Sequence, residues 1–274
     1  MNQPDKIRLG LPMADYLAHP SLAHHDLVPL GRSPAHFKAA LAAPDEDTDA
    51  LRIGEITHAA ILEPATFKKS HWVRPETYDD EKGKTKVWNG NSNVCREWLA
   101  AHSDRTVIRA KQFEAILAMR KSVLAHRTAR EILKQGDFEV SLFGVDPDTG
   151  TPLKSRPDWI SGTTLVNLKT TEDASAEAFT WAIEKYHYAS GAALHLDVAR
   201  LAGIPKDYYL FIVVEKEPPF AVAVYELDKR SIDKGRQDCR RWLSLYAHCS
   251  SVDEWPAFND GIIPISLPER AFKL

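Results

Sequence analysis

The strongest constraint in this chain is the run Arg156-Pro157-Asp158-Trp159-Ile160-Ser161-Gly162-Thr163-Thr164-Leu165-Val166-Asn167-Leu168-Lys169-Thr170, in which two strand-like stretches flank Ser161-Gly162. With Ser161-Gly162 as a two-residue hairpin turn, Ile160 sits opposite Thr163, Asp158 opposite Leu165 and Arg156 opposite Asn167. Side chains alternate along a strand and paired residues share a face, so Asp158, Asn167 and Lys169 project together. Pro157, Trp159, Val166 and Leu168 form the opposite, apolar face. Asp158 and Asn167 become diagonal neighbours about 7–8 Å apart at the backbone, close enough for two oxygen-bearing side chains to reach one ion. The expectation is a hairpin that packs one face and carries polar chemistry on the other.

The surrounding pattern supplies a sheet and its cover. Phe138 to Phe143 alternates as a strand, Asp146-Pro147-Asp148-Thr149-Gly150 is a strong turn, and strand-like runs follow at about 152–160 and 163–170. Tyr208 to Val214 and Ala221 to Tyr225 read as further strands separated by Pro218-Pro219. Helices are expected after the Ser33-Pro34 cap, from Asp49 to Leu62 with Glu63-Pro64 ending it, from Lys111 to Leu124, over about 174–202 and over 228–247. The polar stretch Thr77 to Asn93 reads as a mobile surface loop. The sum is an α/β (α+β) protein, a central mixed sheet flanked by helices with a helical N-terminal region. One domain over 1–274 is expected: a mainly helical part at 1–135, a sheet and helix at 136–227, and a C-terminal helix and tail at 228–274.

Composition excludes some functions and leaves others open. The chain has 274 residues, 44% of them hydrophobic and 27% charged, the balance of a globular protein. A net charge of -3 does not announce a nucleic-acid binder, although a protein that encloses DNA needs positive charge only along the enclosed path. Cys95, Cys239 and Cys249 form no CxxC pair and build neither a disulfide framework nor a four-cysteine metal site. Without a membrane-length apolar run or a leader-like N-terminus, a cytoplasmic location with no membrane association is expected. His24-His25-Asp26 has no matching ligand set and reads as a surface or capping element. Arg74 and the lysines of the 74–86 loop read as solvated, and Tyr186, His187 and Tyr188 as packing aromatics or base-stacking candidates.

Arg156-Pro157-Asp158, followed nine residues after the aspartate by Asn167-Leu168-Lys169-Thr170-Thr171, resembles the RecE-like exonucleases (exodeoxyribonuclease VIII) and their phage and prophage relatives in the PD-(D/E)XK nuclease superfamily. The resemblance extends through Leu11-Pro12-x-x-x-Tyr16, Ser33-Pro34-x-x-Phe37, Gly54-x-x-x-His58-Ala59-x-x-Leu62-Glu63-Pro64 and the Tyr186 to Asp197 helix. It spans most of residues 10 to 200. It implies a restriction-endonuclease-like core and a divalent cation, magnesium with manganese as the alternative, that polarises a scissile phosphate and activates water. On this resemblance Asp158 and position 167 are metal ligands, and Lys169 orients water or stabilises developing charge. His58 is the helix-borne metal ligand, and Glu139 a weaker acidic contact. Arg156 faces the proposed site and reads either as a DNA contact or as a neutraliser of the acidic cluster, and Tyr188 and His195 are further DNA-contact candidates. The implied activity is degradation of linear double-stranded DNA from its ends during recombination. The implied partners are DNA ends, a single-strand annealing protein and further copies of the chain in a ring-like homo-oligomer.

Three positions depart from the family pattern. Asn167 stands where the family has aspartate, retaining a carbonyl oxygen but no negative charge, so weaker magnesium binding is expected. Gly191 and His195 stand where glutamine and tyrosine are common. Asn167 reads either as drift towards a weak or inactive nuclease or as a deliberate change that traps a complex, and the changes at 191 and 195 favour drift. The alternatives to an active exonuclease are a degenerate DNA-binding or assembly protein and a structure-specific endonuclease on the same core.

Overall fold

The computed structural model describes residues 6–43 and 48–272. Residues 1–5, where the leader-free N-terminus was expected, lie outside them. The N-terminal part runs through β1 (Ile7–Arg8), α1 (Met13–Ala18), α2 (His24–Leu27) and α3 (Pro34–Ala42). Ser33 caps α3 as expected, its hydroxyl accepting from His36 N–H. Next come α4 (Asp49–Leu62), α5 (Pro64–Ser70), β2 (His71–Arg74), β3 (Thr77–Asp79), β4 (Thr85–Val87), α6 (Asn93–Ala101), β5 (Thr106–Arg109), α7 (Ala110–Ala125) and α8 (Arg127–Ile132). The stretch expected to be a loop at 77–93 is mostly the β3–β4 hairpin. Its turn is organised by Asp80, which accepts from the Lys82 and Lys84 N–H groups and pairs with Lys86 at 2.7 Å.

The second half holds β6 (Asp137–Phe138), β7 (Ser141–Val145), β8 (Pro152–Ser155), β9 (Trp159–Ser161), β10 (Thr164–Thr171), α9 (Ala176–Lys185), α10 (Tyr188–Leu201), β11 (Tyr208–Glu215), β12 (Val222–Glu226) and α11 (Lys229–Val252). A five-stranded sheet has the order β12-β11-β10-β9-β6, with β10 and β11 parallel and the other pairs antiparallel. Parallel neighbours need a long crossover, and α9 with α10 supply it. The helical stretch expected over 174–202 divides because His187 takes a left-handed conformation, φ 56.

The expected mixed sheet flanked by helices is present, but its hairpin turns one residue later than the sequence suggested. Gly162 and Thr163 form the turn, Gly162 at φ 51, and the pairs are Ser161↔Thr164, Ile160↔Leu165 and Trp159↔Val166. The partner shifts by two positions, and a shift of two keeps every side chain on its expected face. The expectation that one face packs while the other carries polar chemistry holds only in part. Ile160 and Leu165 join Tyr209, Phe211 and Val213 in a core closed by Phe179, Leu196 and Trp242, while Trp159, Val166 and Leu168 join Ile212 and Val214 beneath Ile56, Ala60, Ile116 and Met119. Both faces are buried, so polar chemistry is left to the strand's later positions, Asn167 and Lys169.

Two expected strands also divide. The run from Phe138 to Phe143 breaks at Glu139, whose φ of 46 turns the chain from the five-stranded sheet into a three-stranded one, β1-β7-β8. The run at 152–160 breaks between Ser155 and Trp159, where the chain crosses back. Glu139 N–H donates to Asp158 C=O at 3.1 Å, so the two crossings lie side by side. Among the described residues no helix is long and apolar enough to cross a membrane.

Helices α10 and α11 pack closely because Gly235 has no side chain: a Cβ there would lie 2.2 Å from the Ala189 carbonyl oxygen. Gly235→Ala is predicted to destabilise the chain by about 1–3 kcal/mol, because the obstacle is backbone rather than a flexible side chain. Urea unfolding with an unchanged midpoint would contradict this packing.

Candidate active site

The site begins with a short strand. The last β9–β10 pair is Trp159↔Val166, so the Leu168 N–H lies beyond the ladder on that side. A buried N–H needs an acceptor, and Asp158 supplies one: its Oδ2 accepts from Leu168 N at 2.7 Å. That bond holds the carboxylate beside Asn167 on the neighbouring strand. Helix α4 brings His58 alongside, with Nδ1 3.7 Å from Asp158 Oδ2. Glu55, one turn earlier on the same face, lines the same cleft, as does Glu63 just after the helix.

This cleft, of 560 Å³, is lined by His58, Glu139, Arg156, Asp158, Asn167, Lys169 and His195 among others, so seven of the eight residues singled out from the sequence meet there. The eighth, Tyr188, sits behind it, its ring centroid 4.9 Å from Lys169 Nζ. A larger cleft of 1040 Å³ lies between Val28–Arg32, the α9–α10 junction and the start of α11. It contains none of the Asp158 group, so the smaller cleft is the candidate site.

Burial shapes the protonation of the group. It pushes His58 below its ordinary value against the opposing pull of Asp158, favouring a neutral ring with a lone pair to offer. It pushes the Lys169 ammonium down, again opposed by Asp158, and pushes Glu139 up, opposed by Arg156. Asn167 is 7% exposed, and its Oδ1 is buried with no hydrogen-bond partner. Such an orphaned oxygen costs about 1–3 kcal/mol unless something enters to satisfy it.

That oxygen tests whether the residues fit a cation. Among the described residues no three His, Cys, Asp or Glu side chains form a ready cage. A divalent ion at this cleft would need Asn167 as a third protein donor beside the Asp158 carboxylate and the His58 imidazole. The three donor types suit such an ion, and the unsatisfied Oδ1 gives it a reason to bind.

Two of the DNA-contact candidates are engaged within the protein itself. The Arg156 side chain is only 6% exposed. Its guanidinium donates to Ser141 Oγ at 2.9 Å, to Glu139 Oε2 at 3.5 Å and to the Leu11 carbonyl, and stacks on Tyr16. It neutralises Glu139 and anchors the N-terminal segment, leaving no free fork for phosphate. His195 lies 3.2 Å from Tyr209 Oη through Nδ1, and burial pushes its pKa down to about 3, so it forms an uncharged wall.

His24 is the residue that sequence reasoning missed. Asp26 does cap, accepting from Ala23 N–H at 2.7 Å, and His25 is exposed. His24 instead turns inward to line the cleft, with Nε2 2.8 Å from Ser190 Oγ. Ser190 Oγ donates to the His187 carbonyl at 2.9 Å, so it accepts from His24, which places the ring proton on Nε2 and leaves Nδ1 as an acceptor. Burial pushes this histidine down to about 4. Its ring covers Gly191, where a Cβ would come within 3.3 Å of Nδ1. No local pattern announces that packing. Glu55 could have been found, three residues before His58 on one helix.

A mixed sheet under helices on both faces, with an aspartate crossing and an Asn-x-Lys strand at one cleft, defines a protein of the PD-(D/E)XK nuclease superfamily fold. Residues 24–262 match the PDDEXK-like domain of unknown function (DUF3799), and the chain belongs to that family. The crystal structure of a "Putative exonuclease" from Eubacterium rectale superposes with a TM-score of 0.60, covering 97% of this chain and 98% of that one at 13% identity, a likeness of fold. An alkaline exonuclease (LHK-Exo) from Laribacter hongkongensis aligns over 60% of this chain and 85% of that one at 14% identity. Its TM-score of 0.29 is too low to carry an argument. No curated protein sequence matches the chain.

Two of the buried histidines, His24 and His195, predict a pH dependence. Both titrate below the ordinary 6.5 when folded, so the unfolded chain takes up protons first and stability falls as pH drops from 6.5 towards their folded values of about 4 and about 3. Each contributes a slope of about 1.4 kcal/mol per pH unit in that window. His195→Gln is predicted to remove about one such slope in urea unfolding at pH 6, 5 and 4.5. An unchanged slope would contradict the assignment.

Proposed function

We propose that this chain is a metal-dependent deoxyribonuclease of the RecE type that degrades linear double-stranded DNA from its ends. The observation that carries the reading is the meeting of Asp158, His58, Asn167 and Lys169 at one cleft, with an unsatisfied Asn167 oxygen among them. A divalent cation, magnesium on the resemblance alone, would supply Lewis acidity at the scissile phosphate. Asp158, His58 and Asn167 would hold it. Asp158 is pre-positioned by the Leu168 N–H, and a neutral His58 needs no deprotonation to donate its lone pair.

Lys169 follows Asn167 by two residues and shares its strand face, so its ammonium stands beside the same phosphate. The Tyr188 ring beneath it limits where that charge can go. In hydrolysis the water oxygen bonds to phosphorus and loses a proton, the bond from phosphorus to a deoxyribose oxygen breaks, and that departing oxygen takes up a proton. Lys169 stabilises the charge that grows on the phosphate oxygens. His24, with Nδ1 unprotonated, can accept a hydrogen bond from water in the cleft. A single-strand annealing protein and a ring of further copies belong to the same proposal and are supported by the resemblance alone.

Asn167 favours a second reading, a DNA-binding or assembly protein that keeps the cleft without hydrolysis. The two are separated with end-labelled linear and closed circular duplexes, magnesium or manganese, and the native chain beside Asn167→Asp. Loss of linear DNA with circles spared is expected, at least about tenfold faster with the restored carboxylate. Lys169→Met should slow cleavage by about 10²–10³. If neither the native chain nor Asn167→Asp cuts either substrate while folded, the hydrolytic reading fails and the second one stands.

A further inference from the structure

We propose that residues 263–267 of one copy of this chain pair, as an antiparallel strand, with the outer edge of β12 in a second copy. The pairing uses no residue that lines the cleft and stands apart from the reading of its chemistry.

Strand β12 ends the five-stranded sheet and is paired on one side only, with β11. Glu215 N–H donates to the Ala221 carbonyl and Leu227 N–H to that of Tyr209, so the odd-numbered positions of this segment face β11. The N–H and C=O groups of Val222, Val224 and Glu226 therefore point outward, and among the described residues no backbone group bonds to them. Free edges are normally guarded by lysine, proline or a bulge. The run Val222-Ala223-Val224-Tyr225 has neither residue, and its register with β11 is unbroken.

The complement lies near the C-terminus. Trp255 stacks on Phe37 at 5.3 Å and the Pro256 carbonyl accepts from Ala35 N–H, which roots the chain on α3. Beyond that root Ile262, Ile263, Ile265 and Leu267 stand exposed, Ile265 at 93%, and among the described residues 262–267 form no hydrogen bond. Pro264 and Pro268 favour an extended backbone at their own positions and at the residues before them. In an extended strand, alternate residues present their backbone groups to opposite edges. Both prolines fall on the even-numbered edge, which lacks their N–H groups. The odd-numbered edge, Ile263, Ile265 and Leu267, keeps all three donors, and the same three residues carry the apolar side chains on one face.

Hydrogen bonding and side-chain direction then agree on one register. Antiparallel pairing sets Ile263 against Glu226, Ile265 against Val224 and Leu267 against Val222, with three donors and three acceptors on each strand. Directly opposed residues share a face, so Ile265 and Leu267 extend the apolar layer in which Val222 and Val224 pack with Ile212 and Val214. Parallel pairing through the same edges would send them to the other face. The edge blunted by proline points away, so the added strand ends the sheet. The chain's own β12 is poorly placed to receive it. Asp228, just after that strand, and Tyr246, against which Trp255 packs, are about 27 Å apart along α11. Residues 257–262 span at most about 20 Å when stretched, and they bend at Phe258 and Asp260. A second copy brings its edge to the tail without that limit, and the contact joins copies head to tail.

Sedimentation equilibrium of the full chain tests this with the native protein, Ile265→Pro and Ser266→Pro. The native chain is expected to associate as its concentration rises. Ile265→Pro removes the central N–H of the pairing edge and should weaken association at least about tenfold. Ser266→Pro removes an N–H from the edge already blunted and should leave association unchanged. Mixed Val224→Cys and Ile265→Cys chains should oxidise to a covalent dimer, because opposed residues stand about 5.5 Å apart at Cα, within disulfide reach. A native chain that stays monomeric, or equal weakening by the two proline variants, would overturn the proposal. So would a chain carrying both cysteines that closes its disulfide within one copy, since that sets the tail on its own edge. If Val224→Cys does not fold, as judged by circular dichroism, the two proline variants decide.

Discussion

The site depends on one hydrogen bond, from the Leu168 N–H to the Asp158 carboxylate. Strand β9 is too short to serve Leu168 along the whole of β10, and the residue just before β9 completes the pairing with its side chain. A backbone requirement for an acceptor thus fixes a carboxylate in place. Charge-assisted bonds of this kind are stronger than neutral ones and hold direction as well as distance. His58 approaches the same oxygen from α4, while Asn167 and Lys169 reach the cleft from the strand that donates the bond.

The surroundings of that bond explain why the N-terminal segment belongs to the site. The chain changes sheets at Glu139 and again between Ser155 and Trp159, and the crossings touch through Glu139 N–H and the Asp158 carbonyl. Glu139 holds a left-handed conformation, strain that accumulates where a fold positions function. Two buried cations tie the first helix to this junction. Lys154 Nζ donates to the carbonyls of Tyr16, Leu17 and His19 at 2.9 to 3.0 Å, and Arg156 binds Leu11 and Glu139. These two residues spend their charge on structure, which leaves Lys169, among the described lysines and arginines lining the cleft, as the one that the proposed reading sets against phosphate.

Sequence patterns carried the faces of the hairpin further than its pairing. Asp158, Asn167 and Lys169 were grouped on one side with the wrong turn, because a two-residue shift leaves side-chain parity unchanged. The burial of Ile160 and Leu165 was not legible, since it depends on α9, α10 and α11 covering that face. Nor were the breaks at Glu139 and His187, non-glycine residues forced to positive φ by tertiary packing. The family pattern points to His58, which lines the cleft, whereas no pattern points to His24, which lines it too. Its place follows from an absent side chain at Gly191 and a hydroxyl at Ser190, both distant in sequence. Arg156 could be read either way, because an arginine beside such a motif looks alike whether it faces phosphate or neutralises a buried glutamate, and the structure pairs it with Glu139.

The most direct measurement is anomalous diffraction from crystals of the full chain soaked in manganese. The account predicts one ion in the 560 Å³ cleft, bound by Asp158, His58 and the Asn167 oxygen, with the Leu168–Asp158 hydrogen bond retained. An ion held instead by Glu55 and Glu63, or a cleft that stays empty at saturating manganese with Asp158 and His58 unmoved, would contradict it.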